Sequence, residues 1–520
     1  MSSSVSIRSF PNGVRFFKRN DIIQEEGHIV KINRVLLVMP PAFSSNRFRE
    51  TNPLPPIGLG YLASTLENMD IEVRILDCLI RGWEQEEVVN KDMVRIGLSD
   101  SQIRGYITDF NPDMVGINCQ FSRQFRMYHH IFSLIKNCNP QIITVAGGAH
   151  ATVCTEEVLL DDNCDYVIKG EGEITLKRLI ERLPDGGDLD AVDGLCRKVN
   201  GALKINEKTT WIENLDEIPF PAYHLMDLER YDKLKDAHGE RHRDRFSPIV
   251  TTRGCPAKCT FCTAKMVWGD RFRARSVENV IQEMRLLKNK YSIEEIMFED
   301  DNLTANPTRS KELFSRMIEE GFDFIWDTPN GVGVWSIDEE IIDKMKQSGC
   351  VRLCFPVESG SQRVLNEIIR KPLNLDKVKH LIEYCRKIDL DFSVFLVIGM
   401  PGEKIEEMWE SFRFVAGCGC YAPHISVATP YPGSQLYEDC KNKGYLAKDY
   451  SLDDLYIRSF MIKTDDWDGE ILKNILLKAH IYFKLRMLRD DPARFFIWLY
   501  KSMKRLPQLT GYLINTFGKH

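Results

Sequence analysis

Three cysteines stand close together in the run Arg253-Gly254-Cys255-Pro256-Ala257-Lys258-Cys259-Thr260-Phe261-Cys262. Thiolates are the usual ligands of iron–sulfur clusters, and a cubane cluster takes four ligands. A C-x3-C-x2-C set supplies three and leaves one iron open to chelate the amino and carboxylate groups of a substrate or cofactor. Zinc is the competing reading, but a structural zinc site is closed by four ligands, usually in two C-x2-C-type halves. No second half with that spacing is visible, and the nearest histidines, His238 and His242, precede the strand that leads into the loop. Most other cysteines, such as Cys119, Cys350, Cys354 and Cys385, sit in apolar segments and read as small core residues. Fifteen cysteines, an odd count in a long chain without an export signal, point to a reducing cytoplasm rather than to disulfides.

The cysteine loop needs elements to hold it. An α/β series opens at Ile249-Val250-Thr251-Thr252 and continues with predicted strands at Glu295–Phe298, Phe324–Thr328, Val351–Pro356, Phe392–Ile398 and His424–Ala428. Helices fall between them, at Val277–Lys290, Arg309–Glu320 and Asp338–Gln347 among others. Six β/α units over residues 246–440 fit a partial TIM-type barrel, whose chemistry belongs at the strand C-termini. Residues 31–190 also alternate strands and helices, beginning with the apolar run Arg34–Met39, and predict a doubly wound, Rossmann-like α/β sheet. Such sheets bind ligands beyond the carboxyl ends of their strands, here Pro40-Pro41, Asn118–Phe121, Gly147–Thr152 and Gly170–Glu173. Residues 1–30 read as an N-terminal arm, 191–245 as a linker with a predicted β-hairpin at Gly194–Ile205, and 441–520 as a helical C-terminal region. A formal net charge of −6 gives no support for a nucleic-acid surface. No stretch approaches the ~20 apolar residues of a membrane-spanning helix, and the N-terminus lacks the apolar core of a signal peptide.

The run 253–262 resembles the signature of the radical S-adenosylmethionine (radical SAM) superfamily. The resemblance implies that Cys255, Cys259 and Cys262 ligate a [4Fe-4S] cluster whose open iron chelates SAM. An electron from a donor such as flavodoxin or ferredoxin then cleaves SAM to a 5′-deoxyadenosyl radical. Phe261 matches the aromatic position near the adenine. Glu299, Asp300 and Asn302 in Phe298-Glu299-Asp300-Asp301-Asn302 match the strand end near the methionyl amine. Glu358 and Ser359 match the ribose-binding strand end, where carboxylate and hydroxyl meet sugar hydroxyls. Gly399, in Val397-Ile398-Gly399-Met400-Pro401-Gly402-Glu403, matches the close approach to adenine.

The first domain has no G-x-G-x-x-G or Walker-type loop. Its segments instead resemble the cobalamin (B12)-binding domain that precedes the barrel in one radical SAM subfamily. The matching positions are Pro55 and Gly58 in Pro55-Pro56-Ile57-Gly58, Asn118, the run Gly147-Gly148-Ala149-His150, and Gly170-Glu171-Gly172-Glu173. The resemblance implies that Pro55, Gly58, Asn118, Gly147, Gly148, Gly170, Glu171 and Gly172 border the cofactor and that His150 lines its tail pocket. The Asp-x-His-x-x-Gly motif that supplies a lower cobalt ligand in many such domains is not matched. Asp236-Ala237-His238-Gly239-Glu240-Arg241 lacks the final glycine and lies outside the domain, so no histidine ligand is expected.

The pairing of domains resembles the class B radical SAM methyltransferases, and the segments Gly254–Cys262, Trp268-Gly269 and Thr328-Pro329-Asn330-Gly331 are similar to the fosfomycin-pathway type. It implies C-methylation of an unactivated carbon, one SAM making the radical and another remethylating the cobalt. The expected substrate is a small molecule, anionic or phosphonate-like, with Arg271, Arg273 and Arg275 as candidate grips for its oxygens. Trp268 reads as core packing or as a wall above the cobalamin ring. A cobalamin-dependent radical cyclase or rearrangement enzyme is the alternative within the subfamily. A non-enzymatic cobalamin-binding protein is the alternative outside it. The helix around Asp491–Leu506, with Arg494, Lys501, Lys504 and Arg505, reads as a basic face packed on the barrel or as a contact for a membrane or anionic substrate.

Overall fold

A computed structural model describes residues 31–45, 53–234, 241–455 and 459–504. The predicted N-terminal arm and the His238 segment lie outside the described residues. The first sheet is built from β1 (Arg34–Met39), α1 (Ile57–Glu67), β2 (Glu72–Asp77), α2 (Asp100–Phe110), β3 (Met114–Asn118), α3 (Phe125–Cys138), β4 (Ile143–Gly147), β5 (Tyr166–Ile168) and α4 (Glu173–Arg182). Val35–Val38 are all buried, as a strand covered on both faces requires. A capping box of Ser99 and Gln102 starts α2. The parallel order β2-β1-β3-β4-β5 is of the flavodoxin type, with its topological switch between β1 and β3.

The hairpin β6 (Leu195–Val199) and β7 (Ala202–Ile205) pairs antiparallel onto β5 and completes this sheet. A domain boundary at residue 190 therefore cuts through the sheet, and the connection begins after Ile205. Local sequence shows a hairpin but not which edge it covers.

The second sheet comprises β8 (Phe246–Ile249), α5 (Val277–Tyr291), β9 (Glu295–Phe298), α6 (Pro307–Glu319), β10 (Ile325–Asp327), α7 (Glu339–Gln347), β11 (Cys350–Glu358), α8 (Leu375–Lys387), β12 (Asp391–Ile398), α9 (Ile405–Gly417) and β13 (His424–Val427). All six strands run parallel in sequential order, a barrel left open between β8 and β13. Side chains of Ser276, Asn306, Asp338 and Asn374 cap α5 to α8 in turn, which fixes where each helix starts. The first strand begins at Phe246, earlier than the predicted Ile249. Pro248 is tolerated because β8 is an edge strand. Beyond Ile249 the Asp300 carboxylate accepts hydrogen bonds from the Thr251 amide and both threonine hydroxyls, replacing ladder partners.

One apolar cluster runs from Leu37 and Ile75 through Tyr223 to Phe298 and Trp326, so the two sheets share a core. The C-terminal helices are α10 (Gly469–Asp490) and α11 (Pro492–Lys504). α10 buries Leu472, Ile475, Ala479, Phe483 and Met487, with Phe483 against Phe412 of α9. Among the described residues, no helix is long and apolar enough to cross a membrane.

Candidate active site

Gly254 opens the cysteine loop with φ +81°, and a Cβ there would sit 2.4 Å from the Arg271 carbonyl oxygen. Only glycine fits without displacing the loop. Thr260 then anchors it: its amide and hydroxyl each donate at 3.0 Å, to the carbonyls of Ile369 and Ile368, and its carbonyl accepts from Leu436. Those carbonyls close a π-helical turn, Val364–Ile369. All three cysteines are free and partly buried. Burial pushes their thiols up, Cys259 to about 12 and Cys262 to about 11, and each of these two also feels the Cys255 thiol. Ala264 donates its amide to the Cys262 sulfur at 3.4 Å and Asn302 its side-chain amide to Cys255 at 3.8 Å. Three thiols on one pinned loop, with N–H donors already aimed at two of them, suit a cluster that takes its protein ligands as thiolates.

The neighbouring strand ends divide the acidic run after β9 between two faces. Asp300 points at Thr251 and Thr252 and does not line the chamber. Asn302 holds both Cys255 and the Gly333 amide. Glu299 and Asp301 face the large chamber, with Asn330 donating to Glu299 at 3.2 Å. Burial and the neighbouring Asp300 raise the Asp301 carboxyl to about 6, against an amide donated by Gly254. Glu358 carries a left-handed φ of +63° at the end of β11 and pairs with Lys371 at 2.8 Å, both beside Cys259. Ser359 is buried against Ser411. Gly399 does not reach the chamber. A Cβ on it would meet Leu472 of α10 at 2.9 Å, and its amide donates to Glu403. Phe261 packs against the barrel core and is not among the described residues lining the chamber.

That chamber has a volume of about 2120 Å³ and lies between the two sheets. The first sheet lines it with Met39, Asn118, Gly147 and Gly148, the helix α1 with Gly58, and the barrel side with Cys262, Trp268 and Glu299. Gly58 and Gly147 have nothing within 4 Å of a built Cβ, so side chains there would project into open space. Phe121, on the same wall, is 66% exposed. These features suit a bulky flat ligand over the β1/β3 switch. Pro55, Gly170, Glu171 and Gly172 also line it. His150 does not. Its ring is fully buried, held by Ser122 at 3.1 Å, near Glu157 and against Tyr128.

The Glu171 carboxylate is engaged elsewhere. It accepts from Arg253 at 2.9 Å and Arg273 at 2.8 Å, while Arg253 also donates to Glu173 at 2.6 Å. These buried groups join the β5–α4 loop of the first sheet to the residue before Gly254. The expected oxyanion grip by Arg271, Arg273 and Arg275 is therefore not formed. Arg273 and Arg275 are buried in pairs with Glu171 and Glu283, and Arg271 is exposed beside Glu213. Sequence reasoning missed Asp301, Lys371 and Arg253 as parts of the site. The alternation of a strand end carried a signal only for Asp301, which shares a face with Glu299.

A B12-binding domain model matches residues 51–180 and a radical SAM superfamily model residues 249–415. The cytidylyl-2-hydroxyethylphosphonate methyltransferase of Streptomyces wedmorensis is 36% identical over 490 residues, covering 88% of this chain and 91% of the relative. An uncharacterized methyltransferase of Pyrococcus horikoshii is 32% identical, covering 88% and 94%. Two solved folds are similar. The radical SAM methyltransferase TsrM from Kitasatospora setae has a TM-score of 0.64 at 18% identity, over 80% of this chain and 77% of that one. The cobalamin-dependent radical enzyme OxsB has 0.66 at 16%, over 93% and 72%. Identity at this level along most of both chains, with each domain model matched to the sheet that carries its side of the chamber, places the chain in the cobalamin-dependent radical SAM methyltransferase family, which works with a [4Fe-4S] cluster, SAM and cobalamin.

Proposed function

We propose that the protein methylates an unactivated carbon of a small, anionic molecule in the cytoplasm, with a flavodoxin or ferredoxin as electron donor. One observation carries this reading: Cys262 and the cobalamin-side glycines Gly58 and Gly147 open into the same chamber. The phosphonate substrate in the name of the Streptomyces relative supports the anionic class. Cys255, Cys259 and Cys262 hold the cluster. Asn302 and the Ala264 amide stabilise thiolate sulfur, and Glu358 with Lys371 borders Cys259. Glu299 and Asp301 are the carboxylates offered to the methionyl amine, and Asp300 positions the loop behind them. Gly58, Asn118, Gly147, Gly148 and Trp268 wall the cobalamin. When bound, the cofactors supply a deoxyadenosyl radical and a methyl group; the chain's part is to hold both and the acceptor carbon in one dry chamber. Holoprotein given SAM and a reductant should yield both 5′-deoxyadenosine and S-adenosylhomocysteine. Deoxyadenosine alone, with the methyl acceptor present, would mark a cyclase or rearrangement enzyme and overturn methyl transfer.

A further inference from the structure

α10 is apolar on two faces. One face buries Leu472, Ile475 and Phe483 against the barrel. The other carries Leu477, Ile481, Lys484 and Leu485 at helical spacing and lines the chamber, opposite Phe495 and Trp498 of α11. Ile481 is 54% and Leu485 61% exposed, although both face this cavity. An apolar wall of this kind gains nothing from water and is matched by an apolar ligand body.

Lys484 is set into that wall. Its ammonium lies 4.2 Å from the Trp498 ring centroid, and among the described residues no carboxylate pairs with it. Lys473, which also lines the chamber, by contrast pairs with Glu470 at 2.6 Å. Burial, with the like charge of Arg494, disfavours the Lys484 ammonium, and an anion beside it would offset both.

Resting on the reading that the chamber is the methyl-transfer site, we propose that its C-terminal wall selects an amphiphilic acceptor, an apolar body bearing one oxyanion, and that Lys484 anchors the oxyanion. The oxyanion grip thus lies on the C-terminal helices, far along the chain from the arginines after the cysteine loop. A polar nucleotide matches the lysine but leaves the stripe of Leu477, Ile481 and Leu485 unmatched.

The test uses cobalamin- and cluster-loaded protein with two fluorescent probes, anionic 8-anilinonaphthalene-1-sulfonate and neutral N-phenyl-1-naphthylamine. Lys484→Gln should weaken the anionic probe about ten- to a hundredfold, the value of one charge-assisted hydrogen bond, and spare the neutral one. Lys484→Arg should restore binding. Phe496→Ser, on an α11 residue outside the chamber lining, should change neither constant. Decyl phosphate should displace the anionic probe, and cytidine 5′-monophosphate should do so no better than inorganic phosphate. Equal loss of both probes in Lys484→Gln, no loss of either, or displacement by the nucleotide alone would overturn the proposal. Cobalamin and iron content are read on the same samples. Their absence from the wild type would count against the assigned function and leave the probe discrimination standing.

Discussion

Arg253→Met should loosen the seam between the two sheets by about 3–5 kcal/mol. Arg253 makes two charge-assisted hydrogen bonds, at 2.9 Å to Glu171 and 2.6 Å to Glu173, and all three side chains are less than a tenth exposed. Two such bonds are worth about 1.5–3 kcal/mol each, which agrees with the cost of stranding one partner of a buried pair. Glu171 keeps Arg273 in the variant, so Glu173 is the group that loses its hydrogen-bonded partner and keeps only the weaker influence of Lys208. Hydrogen exchange read by mass spectrometry should then show peptides covering 170–182 and 252–275 opening about a hundred- to several-thousandfold faster. The pH dependence has a defined sign. In the wild type, burial alone would raise the Glu173 carboxyl, but Arg253 outweighs it and holds the group below its ordinary value. That contribution is present above the unfolded value of 4.5 and is lost as pH falls through the lower folded value. Without Arg253, burial raises the folded value, so protonation relieves the variant. Its penalty should be full at pH 7.5 and shrink towards pH 4.5. Arg271→Met, which breaks only the exposed pair with Glu213, should change exchange by less than about 1 kcal/mol. Equal effects of the two substitutions, or a penalty on Arg253→Met that grows in acid, would refute the reasoning.

Gly254→Ala forces a left-handed φ on a residue with no room for its Cβ, costing about 1–3 kcal/mol. Its iron content after reconstitution should fall while circular dichroism stays unchanged. Asn302→Ala removes the N–H donor to Cys255, so a redox titration followed by paramagnetic resonance should give a more negative cluster potential. Glu403 is fully buried, accepts from the amides of Gly399 and Met400, and is raised by burial to about 8. Its stabilisation is complete below 4.5 and lost as pH rises through about 8, so the melting temperature should fall more steeply from pH 6 to 9 in wild type than in Glu403→Gln.

The barrel and its cysteine loop were legible in the sequence because both signals are local. Apolar strands end in Gly254, Glu299, Glu358 and Gly399, and the thiols lie in one short run. The partners that orient those groups were not legible, because they come from far along the chain. Arg253 meets Glu171 across 82 residues and Arg273 meets it across 102. Gly399 read as a ligand contact because a barrel considered alone leaves that strand end open; Leu472 of α10 covers it. His150 follows two glycines that do border the chamber, but a short helical turn at Ala149–Val153 turns its ring inward towards Ser122 and Glu157. The two-faced character of α10 was hidden for a similar reason. Apolar residues on opposite sides of one helix blur its period, and only the packed structure separates the face on the barrel from the face on the chamber.

Anaerobic reconstitution of the wild type and of the triple variant Cys255→Ala, Cys259→Ala, Cys262→Ala with iron, sulfide and hydroxocobalamin tests the central claim most directly. The wild type should bind cobalamin together with a cluster that gives a paramagnetic resonance signal on reduction. The triple variant should lose iron, sulfide and that signal while its cobalamin absorption remains. A triple variant that keeps the cluster would contradict the assignment of these three cysteines.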